Sequence, residues 1–377
     1  MSSGAWSRDA LPAMLGDLRV LVECETPSSD RVLLDRGLAE ILGWARARLG
    51  PPARLLQHPC GPHGDTVELL YTGDAPGFVL VLCHYDTVWP AGTLASWPFA
   101  LEGGIVSGPG VFDMKNGLVQ AVYAVKGLRA LGVPHPSVKL LLNGDEELGS
   151  PASRPLIERA SEGALATFVL EASLDGAVKT ARKGVGKFDL TLHGVESHVG
   201  LDPEKGASAI HALAALILET AALAAPARGT TVNVGLVDGG TGRNVCAGRA
   251  SCGIDIRVAT HEEMARVDAA LAALRPPDPR VRVELGGGWC RPPMTPNTAS
   301  RALYATAEAI AAAHGWTLRQ AHAGGASDGN FVSALGRPVL DGLGAVGAGA
   351  HARSEHLLVE HIPERTALLM DLIAAHA

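Results

Sequence analysis

The amino-acid sequence predicts an α/β protein with a mostly parallel sheet, into which a smaller α+β block with an antiparallel sheet is inserted. Two observations support this prediction. Short apolar runs alternate with helical spacing in the first half of the chain and again near its end, which is typical of a sheet covered by helices on both faces. Between these regions, strands of alternating polarity surround two helices, which is typical of an antiparallel sheet with one exposed face. We therefore expect residues 1–184 and 293–377 to form the larger domain and residues 185–292 the inserted one.

The larger domain is predicted to combine six helices with five strands. Its second helix is preceded by Ser28, Ser29 and Asp30, which are residue types that cap helix N-termini. The run FVLVLC at 78–83 is continuously apolar, as expected for a strand buried on both faces. The predicted helices span residues 11–21, 32–49, 115–131, 154–159, 301–313 and 364–375. The predicted strands span residues 65–72, 78–83, 138–142, 167–170 and 338–340.

The inserted block is predicted to hold four strands and two helices. The strands span residues 187–193, 232–237, 250–258 and 281–285, and the helices span residues 203–225 and 262–274. The first of these helices is rich in alanine but is interrupted by His211 and Glu219, and Pro226 follows it. It therefore falls short of the roughly 20 apolar residues that a bilayer span requires.

The composition excludes several classes of protein. The chain has 32 Lys and Arg against 39 Asp and Glu, a formal net charge of −7, whereas proteins that bind nucleic acid or anionic membranes present a basic surface. The first residues, MSSGAWSRDALPAM, lack the basic head and apolar run of a secretory signal. The six cysteines include no C-x-x-C pair, which favours unpaired thiols. We expect a cytoplasmic protein with no nucleic-acid or membrane partner.

Histidine and carboxylate side chains follow several of the predicted strands. His84 and Asp86 come directly after the strand 78–83, and side chains two apart on an extended segment point to the same side. Asp86 is thus placed to hold the Nδ1–H of His84 and to turn Nε2 toward a metal, although a solubilising acid at a strand end is the alternative. Asp113 lies on a Gly/Pro-rich loop before a helix, where an N-cap is the alternative.

Three adjacent carboxylates, Asp145, Glu146 and Glu147, follow the strand 138–142. Open α/β sheets bind ligands at this edge, and like charges so close repel unless a cation neutralises them or a proton is shared. A charged turn is the alternative. Glu171 ends the next strand, and His351 lies in a Gly-rich loop. So many loop and strand-end positions with only histidine and carboxylate side chains favour a metal site.

Seven motifs then point to a known family. The sequence resembles the dinuclear-zinc aminoacylase and carboxypeptidase family, which includes the carboxypeptidase G type glutamate carboxypeptidases, acetylornithine deacetylase and succinyl-diaminopimelate desuccinylase. The resemblance spans almost the whole chain, and the WPAGTL continuation is most similar to the glutamate carboxypeptidase branch. In chain order, the motifs are HYDTVWPAGTL, GPGVFDMKNG, NGDEELGS, LEAS, ESHVG, GGASDGN and GAGAHARSEH.

The resemblance implies a catalytic domain with an inserted dimerisation and lid domain, and two Zn²⁺ per subunit, with Co²⁺ or Mn²⁺ as substitutes. It implies that Asp113 bridges the two ions, that His84 and Glu171 complete one site, and that Glu147 and His351 complete the other. Neutral imidazole and carboxylate groups suit Zn²⁺.

The resemblance also implies that Glu146 is the general base. A pair of metal ions lowers the pKa of a water molecule and polarises the scissile carbonyl, and Glu146 would take the proton of that water and return it to the leaving amine. In such families the peptide after the bridging aspartate is often cis, so we predict a cis bond between Asp113 and Met114.

Further candidates follow from the same resemblance. His198 matches a histidine that reaches across a dimer into the neighbouring active site and stabilises the oxyanion, with an ordinary loop histidine as the alternative. Asn244 and Arg257 match positions that face the substrate, and Arg can grip a carboxylate through two hydrogen bonds. For Arg257 a structural salt bridge to a neighbouring strand is the alternative. Arg291 and Lys179 are further candidates of this sort.

Two interpretations of a different class stay open. Ser327 lies in a G-x-S-x-G pattern, and Asp341 and His351 follow in the order of a serine α/β-hydrolase. That mechanism needs a strand before the serine, and residues 320–325 (QAHAGG) are predicted not to form one. The other interpretation is a non-catalytic, metal-stabilised binding module, against which the intact Glu146 argues.

We therefore predict a cytoplasmic, homodimeric dizinc hydrolase of amide bonds adjacent to a free carboxylate. Its substrates are expected to be small peptides or N-acyl amino acids, and the released group to be a C-terminal glutamate or a similar residue. Within the same chemistry, the alternative is an N-acyl amino acid deacylase similar to acetylornithine deacetylase.

Overall fold

A computed structural model describes residues 1–377. It contains nine α-helices and sixteen β-strands, which are numbered in chain order. The helices are α1 (Ser3–Glu23), α2 (Arg31–Leu49), α3 (Asn116–Leu131), α4 (Arg154–Ala160), α5 (Ala209–Ala221), α6 (His261–Ala273), α7 (Thr298–Ala313), α8 (Gly329–Ala334) and α9 (His361–Ala374). The strands are β1 (Arg54–His58), β2 (Gly64–Tyr71), β3 (Ala75–His84), β4 (Ala100–Glu102), β5 (Ile105–Ser107), β6 (Pro136–Gly144), β7 (Thr167–Val169), β8 (Val178–Arg182), β9 (Gly184–His193), β10 (Thr231–Gly239), β11 (Arg249–Val258), β12 (Arg282–Arg291), β13 (Gln320–Ala323), β14 (Val339–Leu340), β15 (Gly347–Ala348) and β16 (His356–Leu358).

The first compact unit comprises Met1–Ala181, Pro296–Ala323 and Ser327–Ala377. Its main sheet has the strand order β1-β2-β6-β3-β7-β14. Strands β6, β3, β7 and β14 are parallel, and β2 pairs antiparallel with both β6 and the edge strand β1. The apolar residues of β3 are buried in the core, and helices α1, α3 and α9 pack against one another beside it. This burial on both faces explains the continuous apolar run of β3.

The parallel strands end at one edge of this sheet. His84 is the last residue of β3 and pairs in register with Asn143, near the end of β6. Glu146 and Glu147 lie two and three residues beyond the end of β6, and Glu171 lies two residues beyond the end of β7. Because neighbouring parallel strands present their carboxyl ends at the same edge, the fold gathers these side chains there.

A small antiparallel sheet, β15-β16-β5-β4, lies in the same unit. Asp113 follows β5 through a glycine-rich loop, and His351 follows β15 after two residues. Strand β16 pairs with both β5 and β15, which brings these two loops together although more than 200 residues separate them in the chain.

The second compact unit comprises Arg182–Thr295 and Gly324–Ala326. Its antiparallel sheet has the order β10-β11-β9-β12, and helices α5 and α6 contribute to a separate apolar core with it. The predicted fold class, a mostly parallel sheet with an inserted antiparallel α+β block, is confirmed. None of the helices combines the length and apolar composition needed to cross a lipid bilayer.

The predicted helix over residues 203–225 is wrong in its extent. The observed helix α5 covers only Ala209–Ala221, and the Ser208 side chain caps its first turn. Gly206 is extended, and the backbone of Ala207 pairs with Val195. Backbone groups that are already used in this pairing cannot also form helical hydrogen bonds, so the helix starts later than its apolar periodicity suggests.

The prediction that residues 320–325 form no strand is also wrong. Residues Gln320–Ala323 form β13, which pairs with β8. The Thr180 hydroxyl donates to the Gln320 side-chain oxygen at 2.9 Å, and the Val178 N–H donates to the carbonyl of Arg319. These long-range bonds stabilise a strand whose polar and small residues give no strand pattern.

Candidate active site

Five predicted ligands converge through close contacts between opposite charges. Nε2 of His84 lies 3.3 Å from Oδ1 of Asp113 and 3.5 Å from Oε1 of Glu171. Nε2 of His351 lies 3.3 Å from Oδ2 of Asp113 and 3.1 Å from Oε2 of Glu147. The two carboxylate oxygens of Asp113 thus face two different histidines, each of which also meets a second carboxylate. This is the arrangement expected of a residue shared by two metal positions.

Local backbone structure presents these groups at the sheet edge. The peptide bond between Asp113 and Met114 is cis, which confirms that prediction.

Potential ligand atoms of His84, Glu146 and Glu171 all lie within 4.8 Å of one another, and so do those of His84, Asp113 and Glu147. The donors are imidazole nitrogens and carboxylate oxygens only, a set that suits divalent transition metals.

Glu147 provides a direct test of whether a metal fits here. Its Oε1 atom is buried and has no hydrogen-bond partner in the protein. A buried carboxylate oxygen without a partner is costly unless a cation coordinates it. The orphaned oxygen and the surrounding donors therefore fit a bound divalent cation.

The pKa values show that this site has a strongly negative potential. Burial lowers the pKa of His84, but hydrogen bonds with Asp113 and other carboxylates raise it well above its ordinary value. Hydrogen bonds with Asp113 and Glu147 raise the pKa of His351 to about 11. Burial raises the pKa of Glu147 to about 7, against the opposing effect of His351. Burial also opposes ionisation of Asp113, yet hydrogen bonds from His351 and His84 hold its pKa below the ordinary value. Such a site favours positive charge.

Asp86 contacts the His84 imidazole through its main chain as well as through its side chain. Nδ1 of His84 lies 3.0 Å from the main-chain carbonyl oxygen of Asp86 and 3.4 Å from its carboxylate oxygen Oδ1, so the carbonyl is the nearer acceptor. The Asp86 carboxylate also accepts the backbone N–H groups of Glu146 and Glu147, each at 3.2 Å, and the Ser28 hydroxyl at 2.8 Å. Asp86 therefore orients both the imidazole and the turn that carries the two glutamates.

The three adjacent acids have different surroundings. The Asp145 carboxylate accepts the N–H groups of Ala152 and Ser153 and the Ser153 hydroxyl, so it stabilises the turn before α4. Glu147 faces His351, as described above. Glu146 is largely buried between these two acids, and its potential ligand atom lies close to those of His84 and Glu171.

Three of the four predicted substrate-facing residues in the second unit are exposed or partly exposed. His198 is exposed, and its Nδ1 accepts the N–H of Gly200 at 3.2 Å. Asn244 is exposed on the neighbouring loop. The guanidinium of Arg257 pairs with Asp255 through Nε–Oδ1 at 2.7 Å and Nη2–Oδ2 at 3.0 Å. This ion pair lies within one strand, β11, and not between neighbouring strands.

The remaining two candidates are buried. Arg291 is the last residue of β12 and is 4 % exposed. Lys179 lies on β8, and its backbone N–H donates to the carbonyl of Asp341 at 2.7 Å. Roles for both in substrate binding stay predictions.

Ser327 has the contacts of a helix-capping residue. Its hydroxyl donates to the Asp341 carboxylate and accepts the N–H of Gly329 at 3.1 Å, at the start of α8. The histidine that the serine mechanism would need, His351, instead contacts Asp113 and Glu147. Although β13 precedes the serine, the structure contains no Ser327–His351 pair.

Sequence reasoning missed two buried charged residues that hold the Asp113 loop. The Lys115 ammonium donates to the carbonyls of Leu21 and Cys24, at 2.9 and 2.7 Å, and so fastens the loop to the end of α1. The Glu355 carboxylate accepts the backbone N–H of Asp113 at 3.1 Å. The only signals in the sequence are their positions, two residues after Asp113 and four after His351.

Comparison with known proteins identifies the family. The model of peptidase family M20/M25/M40 matches residues 80–375. The chain belongs to this family. The predicted resemblance and the predicted enzyme class, a metallohydrolase, are thereby confirmed.

Curated relatives cover most of the chain. It is 29 % identical to carboxypeptidase G2 from Pseudomonas sp. (strain RS-16), over 97 % of this chain and 90 % of the relative. It is 30 % identical to succinyl-diaminopimelate desuccinylase from Dechloromonas aromatica (strain RCB), over 78 % of this chain and 82 % of the relative.

Solved structures agree with the fold. The aminopeptidase PepT from Bacillus cereus superimposes with a TM-score of 0.79 at 20 % identity, covering 97 % of this chain and 98 % of the other. An M20 family metallo-carboxypeptidase from Sulfolobus solfataricus gives a TM-score of 0.73 at 17 % identity, covering 96 % and 99 %.

Proposed function

We propose that this M20-family metallohydrolase uses two zinc ions to hydrolyse an amide bond adjacent to a free carboxylate, and that it releases a C-terminal glutamate or a similar amino acid. The observation that carries the proposal is the Asp113 carboxylate, whose two oxygens face His84 and His351. The relative named carboxypeptidase G2, which aligns over nearly the whole chain, supports the direction of cleavage.

The proposed ligands divide into two sets around Asp113. His84 and Glu171 would complete one zinc site, and Glu147 and His351 the other, with Co²⁺ or Mn²⁺ as substitutes. When bound, the two ions lower the pKa of water and polarise the scissile carbonyl.

Glu146 is proposed to move the proton. It would accept a proton from the attacking water and return it to the leaving amine. Its place in the chain supports this role because Asp86 holds the backbone N–H groups of both Glu146 and Glu147. The same carboxylate thus orients the proposed base and the neighbouring ligand.

Four residues of the second unit, together with Lys179 of the first unit, are proposed to complete the site. His198 of the partner subunit would stabilise the oxyanion. Asn244, Arg257, Arg291 and Lys179 would bind the free carboxylate of the substrate. For Arg257, the substrate carboxylate would have to compete with the ion pair to Asp255.

A homodimer through residues 185–292, acting as a dimerisation and lid domain, is part of the proposal. Strand β10 is an edge strand, and its Leu236 and Val237 are 74 % and 65 % exposed. Leu218 on α5 is also exposed. An edge with unpaired backbone groups and exposed apolar side chains is a site for strand pairing with a second copy. The catalytic domain (1–184 and 293–377) and the cytoplasmic location stay predictions.

An N-acyl amino acid deacylase is the second candidate. The desuccinylase relative, at 30 % identity, favours it. Both candidates cleave an amide and share the same metal chemistry. They differ in the part of the substrate that the enzyme recognises, which is the released amino acid for the carboxypeptidase and the acyl group for the deacylase.

The test combines metal removal with a substrate panel. The purified protein is stripped with a chelator, restored with Zn²⁺, Co²⁺ or Mn²⁺, and assayed on acyl-glutamates, acyl-aspartates, dipeptides and N-succinyl amino acids. We expect activity to disappear and return with metal, with the highest kcat/KM on substrates that end in glutamate. Preference for N-succinyl or N-acetyl substrates regardless of the amino acid would favour the deacylase. Chelator-insensitive activity together with labelling by a fluorophosphonate would contradict both.

A further inference from the structure

The Glu355 carboxylate is buried and accepts four N–H groups. Its Oε1 atom accepts the backbone N–H of Phe112 at 3.0 Å and of Asp113 at 3.1 Å. Its Oε2 atom accepts the backbone N–H of Gly110 at 3.1 Å and the indole N–H of Trp89 at 2.9 Å. The side chain therefore holds three residues of the loop that presents Asp113.

The chemistry of these contacts requires a carboxylate. All four neighbouring groups are donors, and an ionised carboxylate is the side chain that offers only acceptors. A glutamine would keep one acceptor oxygen but would turn its amide hydrogens toward two N–H donors. Hydrogen bonds to a charged acceptor are also stronger than those between neutral groups.

We propose that Glu355 is a positioning residue for the metal centre. Its carboxylate fixes residues 110–113, and thereby the place of the Asp113 carboxylate between His84 and His351. This inference rests on the proposed metal-binding role of Asp113.

Glu355, which holds the Asp113 loop, also lies close in sequence to His351. It lies four residues after His351, and its backbone N–H donates to the carbonyl of Ala352 at 2.8 Å, closing the turn that follows the histidine. One residue therefore connects the His351 turn with the Asp113 loop, so that a change at Glu355 displaces the two ligands relative to each other.

The fourth donor extends this connection to an aromatic cluster. The rings of Trp89 and Trp97 lie 4.9 Å apart in an edge-to-face arrangement. The Arg353 guanidinium lies 5.8 Å from the Trp89 ring and 5.7 Å from the Trp97 ring. The hydrogen bond from Trp89 to Glu355 does not involve the Asp113 loop, so a substitution at Trp89 can remove it separately.

The test measures metal affinity in three full-length variants. We expect Glu355→Gln to weaken binding of Zn²⁺ and Co²⁺ by about 10- to 100-fold, the usual effect of losing a group that orients a ligand. It should also change the visible spectrum of bound Co²⁺. Glu355→Asp keeps the charge on a shorter stem and should recover part of the affinity. Trp89→Phe removes the indole donor, and part of the ring that packs on Trp97, but none of the N–H donors of the Asp113 loop, so it should leave metal affinity and the Co²⁺ spectrum close to those of the wild type.

The outcomes separate this proposal from the proposed function. Wild-type affinity and an unchanged Co²⁺ spectrum in Glu355→Gln would overturn the positioning role, whatever its melting temperature. If that variant does not fold, Glu355→Asp decides, because wild-type affinity and spectrum in it would overturn the role equally. A wild-type protein that binds neither metal would instead overturn the metal centre itself.

Discussion

Glu263 in the second unit and Glu147 at the candidate active site are both buried acids, with side chains 2 % and 7 % exposed. Their surroundings differ. Glu263 meets the Arg266 guanidinium and the Thr230 hydroxyl, each at 2.6 Å, and Arg228 also pairs with it. These contacts, led by the hydrogen bonds from Arg266 and Thr230, lower the pKa of Glu263 to about 2. Glu147 has one oxygen with no partner, and burial raises its pKa to about 7.

The difference separates a structural acid from an acid that is proposed as a metal ligand. The exposed fraction of the side chain is nearly the same at both positions, so exposure alone does not distinguish the two acids. At Glu263 the chain itself supplies the opposite charge, whereas at Glu147 other acids crowd the site and one oxygen lacks any donor. A buried acid with a carboxylate oxygen that no donor contacts is the one placed to take up a cation.

The largest expected effect concerns the acid proposed to transfer protons. Glu146→Gln should reduce kcat by about 10²- to 10⁴-fold, the usual contribution of a general base. Metal content should stay at the wild-type value because the proposed ligands are unchanged. Steady-state kinetics and metal analysis of the same preparation check both. A variant with normal turnover would remove Glu146 from the mechanism, and one that loses metal would make it a ligand.

The next prediction compares Zn²⁺ binding in variants of Glu147 and Glu263. Glu147→Gln should weaken Zn²⁺ binding by at least about 10-fold, because a neutral amide is a poorer ligand than a carboxylate. Glu263→Gln is the matched control and should bind Zn²⁺ as the wild type does. Competition with a chromophoric chelator measures both affinities. Equal affinities in the two variants would contradict the distinction drawn between the acids.

The free energy of unfolding, unlike the Zn²⁺ affinity, should change in the Glu263→Gln variant. Glu263→Gln leaves Arg228 and Arg266 without their acid and should lower the free energy of unfolding at neutral pH. Because the folded pKa, about 2, is below the ordinary value of 4.5, this contribution is complete above pH 4.5 and disappears as the pH falls toward 2. Urea titrations of the wild type and the variant at several pH values should therefore converge in acid.

The matched control for that experiment is Glu219→Gln, at an exposed position on α5. Its free energy of unfolding should match that of the wild type at every pH. A gap between wild type and Glu263→Gln that persists at pH 2 would show that the effect is one of packing and not of charge.

The smallest expected effect concerns Ser327. Ser327→Ala removes a hydroxyl that caps α8 and donates to Asp341, so stability should fall by about 1–3 kcal/mol. Turnover should stay close to the wild-type rate, because no histidine activates this serine. If Ser327→Ala lost kcat to the same extent as Glu146→Gln, the result would support the serine mechanism.

Much of the site was accessible from the sequence because its residues lie in short motifs at the ends of parallel strands. His84, Glu147 and Glu171 follow strands that the apolar pattern identifies, and the sheet topology gathers such ends. The pattern works here because burial of these strands on both faces leaves a strong apolar signal.

Other features depend on long-range backbone contacts that leave no pattern. Glu355 binds N–H groups of residues 110–113, more than 240 positions away. The late start of α5 follows from the pairing of Ala207 with Val195, and β13 follows from pairing with β8. The use of the Asp86 carbonyl for His84 likewise depends on atoms that every residue type shares.

The discontinuous first unit has a consequence for biosynthesis. His351 comes 180 positions after Glu171, the preceding proposed ligand (351 − 171), so the other proposed ligands leave the ribosome long before it. Domains form from the N-terminus onward during translation, yet strand β14 and helix α9, which complete this unit, come from the final segment. A nascent chain therefore presents an incomplete set of the proposed donors until His351 has been synthesised.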